Sequence, residues 1–405
     1  MLRFWRDFFV TVLAACACLG ILEAGLRLGG LRFDASLYTY DAERGFAFRR
    51  GATGWEVSEG DAYVRINADG MNDVEHSIEK PPGVVRIAVL GDSETAATHI
   101  DFDKGLVQVA QRKLRDERIP VELLNFAVVG YSLPQQYLTL RKVWKYHPDV
   151  IYLMLSGLTV PNVSRKLRLT EAPTPFYMIR DGKLMVDPAV RLPPPPDRRS
   201  LLLRDWFAQA HNDVRLLGLF RQAADEFRHA KLTQIGQWLR RSKGNSKAGP
   251  DNEDILLLQC IPPRTSEVES AWRVTEALME EIQQETARHH ARLVTISVGV
   301  VTQIIPDPNQ RRAYLERLNA TDLDYADRRF AAIARKMDVP FTAFAPYMLD
   351  FGREHHAVLR GGGKAPDYKG HFNTLGSEIA GTLLANQIRE YVDMEFTPRQ
   401  AAKAQ

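Results

Sequence analysis

Gly91-Asp92-Ser93-Glu94-Thr95 follows directly on Val85-Arg86-Ile87-Ala88-Val89-Leu90, a short β-branched run. A strand that stops at glycine and gives way to small polar residues runs into a turn and then a helix. In an α/β sheet, ligands bind beyond the carboxyl ends of the strands, where backbone N–H groups at a helix start are free to bond an anion. Ser93 is therefore the candidate nucleophile, although an ordinary Asx-type turn has the same appearance. His371 is the candidate base. It lies in Gly370-His371-Phe372-Asn373, just before a helix that Asn373 or Thr374 would cap, so its ring sits on a fixed loop. Ester hydrolysis needs such a nucleophile and base, a group that orients the base, and donors for the oxyanion.

The elements around these residues read as strand and helix in alternation. Strands are predicted at 86–90, 121–128 and 150–155, with helices at 106–117 and 134–146 between them. Apolar strands without polar alternation, joined by helices, imply a parallel sheet covered on both faces. Each connection is long enough for a right-handed crossover, so all three strands present carboxyl ends on one edge. That places Ser93, Gly130 and Gly157 at a common crevice. The second half continues the pattern: helix 267–289, strand 293–298, helix 325–337, strand 341–344 and a closing helix at 374–391.

A chain of 405 residues, a quarter of them charged and 45% apolar, buries a large core. The net charge of +3, without a basic stripe, argues against nucleic acid. Of the three cysteines, only Cys260 lies in the body, so no disulfide forms within the domain. Residues 8–22 carry no charge and follow Arg3 and Arg6, which reads as a signal anchor or a cleaved signal peptide. The flanking arginines favour a cytoplasmic N-terminus and an exported body, which in a bacterium means the inner membrane and the periplasm. Leu13-Ala14-Ala15-Cys16 also resembles a lipoprotein cleavage box, but apolar sequence continues after Cys16. Residues 28–80 form a polar, Gly-rich lead-in with a plausible edge strand at 63–67. At 165–255, proline runs and the basic stretch 240–247 enclose a helical segment at 201–239. This is an insertion that serves as a lid, a partner-binding element or an elaboration. His289-His290 and His355-His356 lack accompanying ligands, so no metal and no cofactor is expected.

Several separated blocks together resemble the SGNH/GDSL hydrolase family over roughly residues 61–390. Gly91-Asp92-Ser93-Glu94-Thr95 resembles its first block, Asn125-Phe126-Ala127-Val128-Val129-Gly130-Tyr131 its second and Gly370-His371-Phe372-Asn373-Thr374-Leu375-Gly376 its last. The stretch 64–73 resembles the lead-in of membrane-anchored members from bacterial polysaccharide loci. The resemblance implies a flavodoxin-like three-layer α/β/α domain at 81–392 with a parallel central sheet, behind a membrane segment at 1–27 and before a flexible tail at 393–405. It further implies catalysis by Ser93 and His371, oxyanion donors at the N–H groups of Ser93 and Gly130, and Asp92 as a support of the turn. Two positions depart from the pattern. The acid that members carry three residues before this histidine is Tyr368 here, which leaves Asp367 as the candidate. Leu158 stands where an asparagine donor would follow Gly157, a loss worth roughly 10²- to 10³-fold in rate unless Thr159, Asn162 or an insertion residue substitutes.

The implied function is an esterase or O-acyl transferase acting on acylated carbohydrate or another small ester, tethered by a single-pass helix in the inner membrane. A degenerate domain that binds polysaccharide or partner enzymes is the rival, favoured by Leu158 and the displaced acid. A nucleotide-binding reading fails because the first block lacks the glycine spacing that admits a pyrophosphate.

Overall fold

The computed structural model describes residues 2–169, 172–242, 252–362, 364 and 370–395. Helix α1 (Leu2–Leu28) precedes two antiparallel hairpins, β1 (Tyr38–Asp41) with β2 (Gly45–Phe48) and β3 (Thr53–Glu56) with β4 (Ala62–Arg65). Next come β5 (Val85–Leu90), α2 (Ser93–Ala96), α3 (Leu106–Asp116), β6 (Val121–Asn125), α4 (Leu133–Val143) and β7 (Val150–Ser156). The middle of the chain holds the hairpin β8 (Tyr177–Arg180) and β9 (Lys183–Val186), then α5 (Arg198–Asp213), α6 (Arg215–Ser242) and α7 (Asn252–Leu257). The remainder is α8 (Ser266–Arg288), β10 (Arg292–Gly299), α9 (Pro308–Leu318), α10 (Tyr325–Lys336), β11 (Phe341–Ala343), α11 (Ala345–Glu354) and α12 (Thr374–Glu395).

Five strands form one sheet in the order β11-β10-β7-β5-β6, and every neighbouring pair is parallel. Counted along the chain this is the flavodoxin-like order 2-1-3-4-5, whose direction reverses between β5 and β7, the place where such sheets bind ligands. Successive side chains of a strand point to opposite faces. Ile87, Val89, Tyr152 and Ile296 accordingly pack under α3 and α12 through Leu106, Ala110 and Leu384. Ala88, Leu90, Ile151 and Leu153 meet α4, α8 and α10 through Leu140, Trp272 and Phe330. The expected three-layer α/β/α architecture is thus present.

The departures from the expected elements lie where the pattern is not periodic. The strand expected over 121–128 stops at Asn125, whose side-chain oxygen accepts the Ala127 N–H at 3.1 Å and turns the chain out of the sheet. Residues 62–65 are not an edge of the main sheet. They pair with β3, where Trp55 meets Tyr63 edge to face. A third core of Leu37, Phe48, Val64 and Ile66 packs the hairpins against Ala96 and Val128, beside the end of β5. The expected tail begins later than 393, because α12 runs to Glu395, and 396–405 lie outside the described residues, as does the basic stretch 243–247.

Among the described residues, one helix, Arg3–Leu28, is long and apolar enough to cross a membrane. The paired histidines have structural surroundings: His289 stacks on Trp144 and His355 lies against Phe351. Among the described residues no cluster of three or more His, Cys, Asp or Glu side chains is arranged to hold a metal ion.

Candidate active site

Ser93 is the first residue of α2, at the carboxyl end of the central strand β5, and is 5% exposed. Asp92 caps this turn by accepting the Glu94 N–H at 3.1 Å. Its other carboxylate oxygen accepts the Ser156 hydroxyl from the end of β7, and Ser156 Oγ accepts the Leu158 N–H at 3.1 Å. Burial raises the Asp92 carboxyl to about 6, with the Ser156 hydrogen bond acting the other way. The short helix is fastened from two further sides. Asn125 at the end of β6 donates to the Thr95 carbonyl at 3.1 Å, and Asn72 of the lead-in donates to the Ala96 carbonyl at 2.8 Å. The stretch 64–73 therefore has a physical task, which is to hold the helix of Ser93 in place.

His371 reaches the same point from the far end of the sequence. Its Nε2 lies 2.7 Å from Ser93 Oγ. Its Nδ1 bonds a carboxylate oxygen of Glu59, while the other oxygen of Glu59 accepts the His371 backbone N–H at 2.6 Å. A carboxylate only accepts, so Nδ1 carries the proton and the Nε2 lone pair of the neutral ring faces the serine hydroxyl. Burial opposes both charges. The hydrogen bond and charge of His371 nevertheless hold the Glu59 carboxyl down at about 2. Burial likewise pulls His371 down, but the Glu59 hydrogen bond and the charges of Glu94 and Glu59 outweigh it and raise the imidazole to about 9.

The loop that carries His371 is tied to the helix of Ser93. Arg360 pairs with the Glu94 carboxylate and donates to the Gly370 carbonyl at 3.1 Å, and Glu94 accepts the Phe372 N–H at 3.2 Å. Arg360 is 3% exposed and lies 4.1 Å from the centre of the Phe372 ring. Burial alone would raise the Glu94 carboxyl, but the charges of Arg360 and His371 hold it below the usual range. His99 sits alongside, its ring centre 4.9 Å from that of His371. Its Nε2 donates to the Phe372 carbonyl at 2.8 Å, and burial together with the His371 charge lowers its pKa.

Glu59 stands in the turn between β3 and β4, next to Gly60. A Cβ at Gly60 would come within 1.7 Å of the His99 carbonyl oxygen, so only glycine lets this turn close on the site. The turn and the loop before β1 wall a cavity of ≈ 220 Å³ over Ser93, lined among others by Asp34, Tyr38, Trp55, Val129 and His371.

Of the residues singled out in the sequence, Ser93, His371 and Asp92 come together as expected. Gly130 lies in the loop after β6 with φ +80, and among the described residues no hydrogen bond occupies its N–H or that of Ser93. Asp367 lies outside the described residues, and the place beside His371 Nδ1 is taken by Glu59. Leu158 does not line the cavity. Nor do its expected substitutes. Thr159 accepts the Ser156 N–H at 2.8 Å, and Asn162 accepts the Leu169 N–H at 2.9 Å. Sequence reasoning missed Glu59, Arg360 and His99. The one sign of Glu59 was negative: with Tyr368 where an acid belongs, the acid had to come from elsewhere in the chain.

No family model matches the chain, and no curated protein matches it. Solved structures similar to it include the psychrotrophic esterase EstA from Pseudoalteromonas sp., at 11% identity over 76% of this chain and 98% of that one, with TM-score 0.37. An acetylxylan esterase from Geobacillus stearothermophilus matches at 11% identity over 75% of this chain and 94% of that one, with TM-score 0.38. A lipase/acylhydrolase from Enterococcus faecalis matches at 11% identity over 76% and 97%, with TM-score 0.38.

Proposed function

We propose that this chain is a membrane-tethered serine esterase of the SGNH type, which removes or transfers small acyl groups on exported carbohydrate with Ser93, His371 and Glu59. The observation that carries the reading is His371, bonded through Nε2 to the Ser93 hydroxyl and through Nδ1 to a carboxylate. Ser93 Oγ attacks the ester carbonyl while His371 Nε2 takes its proton. Glu59 holds the ring in the required tautomer and stabilises the imidazolium that forms. The N–H groups of Ser93 and Gly130 receive the oxyanion. On collapse of the tetrahedral intermediate, His371 returns the proton to the leaving alkoxide. Water, or a hydroxyl of a second saccharide, then attacks the acyl-serine with His371 again as base.

The cavity of ≈ 220 Å³ favours a short acyl group, since pockets for drug-sized ligands run from roughly 300 to 1,000 Å³. The carbohydrate part of the reading rests on the resemblance of residues 64–73, and the inner-membrane and periplasmic placement on Arg3 and Arg6 before an apolar helix. The rival expected from Leu158, a domain that binds acylated polysaccharide without turnover, loses that support because Leu158 does not line the cavity.

A fluorophosphonate probe separates the two. The full chain in membranes is expected to label at Ser93, with labelling and hydrolysis of a small aryl ester both lost in Ser93→Ala. An unlabelled, folded wild-type protein would leave the binding module as the surviving reading.

A further inference from the structure

Helix α5 is amphipathic with its faces reversed. Its polar residues point into the protein: Asp205 accepts the Thr39 hydroxyl at 2.9 Å, Gln209 accepts from Arg49 at 3.0 Å, and Asn212 accepts the Ser36 N–H at 2.7 Å. Leu202, Leu203, Trp206 and Phe207 form the opposite stripe, each more than half exposed. Their spacing of one and four residues puts them side by side on one helix face. Helix α6 carries Phe220, 63% exposed, with Leu217 beside it at helical spacing. Exposed aromatic and aliphatic faces of this kind mark an interaction surface.

The helix that adjoins this face identifies what covers it. Glu23, near the end of α1, accepts the N–H groups of Arg215 and Leu216 at 3.0 and 2.8 Å and so caps the first turn of α6. Arg27 donates to the Asp213 carbonyl at 2.7 Å. The α5–α6 junction is thus fastened to the last turns of the apolar helix. Its 26 residues, at a 1.5 Å rise, reach about 39 Å, beyond the roughly 30 Å of a hydrocarbon core, so Glu23 and Arg27 fall at the bilayer surface. Exposed Arg198, Arg199 and Arg204 accompany the apolar stripe of α5. Arginine flanking Trp, Phe and Leu is the composition of helices that lie in the lipid interface and bind anionic headgroups.

We infer that the apolar face of α5 and α6 lies in the bilayer interface as a second membrane contact beside α1. The inference rests on the reading of α1 as a membrane span. It also limits where the chemistry takes place. Only five residues lie between Leu28 and Asp34 in the wall of the Ser93 cavity, at most about 22 Å of extended chain. The site therefore works on esters presented at the membrane surface.

The test is tryptophan quenching in the full chain, reconstituted in phosphatidylcholine vesicles containing phosphatidylglycerol, with and without bromine on the acyl chains. Trp206→Phe, at an exposed position, is expected to remove a share of the lipid-quenchable emission comparable to that removed by Trp5→Phe in α1. Trp55→Phe should remove none. Quenching that is lost with Trp5→Phe but unchanged by Trp206→Phe overturns the inference and leaves the anchor standing. Quenching unchanged by either substitution overturns the anchor, and the inference with it. Shielding of Trp206 from aqueous iodide without quenching by lipid would assign the face to a protein partner, which also overturns the inference.

Discussion

The two walls of the Ser93 cavity are built by opposite means. The sheet wall is continuous with the main core: β5 is hydrogen-bonded on both sides, and Asp92, Ser156 and Asn125 fix the nucleophile's turn from three neighbouring strand ends. The hairpin wall has its own small core and touches the machinery at a few points, chiefly Glu59 on His371, Gly60 under His99 and Asn72 on Ala96. A reaction centre whose nucleophile and base belong to one unit and whose orienting acid belongs to another can lose activity without losing its fold. Substitutions in the hairpin wall should therefore separate turnover from stability, whereas those in the sheet wall should not.

Glu59→Gln tests this most severely. It leaves the ring without an anionic partner, and kcat on a small aryl ester is expected to fall by roughly 10⁴-fold, the loss that follows when a triad acid is made neutral. The thermal midpoint should fall by no more than the contribution of the Glu59–His371 pair itself. Asp367→Asn is the matching control and should leave kcat nearly unchanged. Reversed outcomes for the two substitutions would break the comparison and return the orienting role to Asp367.

The pH profile gives the next largest effect. With His371 raised to about 9, the neutral ring that serves as base forms only as pH rises through that value, so kcat/KM should climb with an inflection near pH 9. Glu59→Gln should move the inflection down towards the ordinary histidine value. The stability linkage carries its own sign. A raised histidine stabilises the fold fully below 6.5 and loses that contribution as pH rises through about 9. The lowered Glu59 contributes above 4.5 and loses it as pH falls towards about 2. The hairpin wall is thus held most firmly between these ordinary values, and a stability maximum outside that window in wild type, unaltered by Glu59→Gln, would contradict the assignment.

Gly60→Ala sharpens the comparison further. The added methyl must push the turn off the His99 carbonyl and carry Glu59 with it, and a displacement near 1 Å costs up to about 10²-fold in rate. Calorimetry should show the sheet domain melting as before. The smallest effect belongs to Leu158→Asn. A donor restored at an oxyanion position would raise turnover about ten-fold or more, but Leu158 lies outside the cavity lining, so kcat should stay within about three-fold of wild type. A large gain would show that the third block reaches the oxyanion after all.

The sheet wall was legible because its residues sit at ends of periodic elements. A β-branched run, then glycine and small polar residues, places Ser93 at a strand end, but only the further blocks at 125–131 and 370–376 distinguish it from an ordinary turn; the parallel order follows from the spacing of runs and helices. His371 was legible through the resemblance of Gly370-His371-Phe372-Asn373-Thr374-Leu375-Gly376 to a family block, since its place before a helix would not by itself set a lone histidine apart. Glu59 was not, because its role depends on a tertiary approach that no local pattern encodes: β3 and β4 are four residues each, and the turn between them is an ordinary acidic turn until Gly60 meets His99. The buried pair of Glu94 and Arg360 escaped for the same reason, joining positions 266 residues apart. The inward polar face of α5 likewise defeats any reading that assigns apolar residues to the interior.

The tie between the His371 loop and Glu94 also has a consequence for a chain made from its N-terminus. The acid and the nucleophile emerge early, at positions 59 and 93, while the base follows only after β11 and α11 have formed. Domains fold as they leave the ribosome, N-terminal part first. For most of its synthesis the nascent protein carries a serine hydroxyl with nothing to take its proton. On the proposed roles its chemistry is therefore switched on last, by the arrival of residues 360–372, so a product terminated before them would be inert.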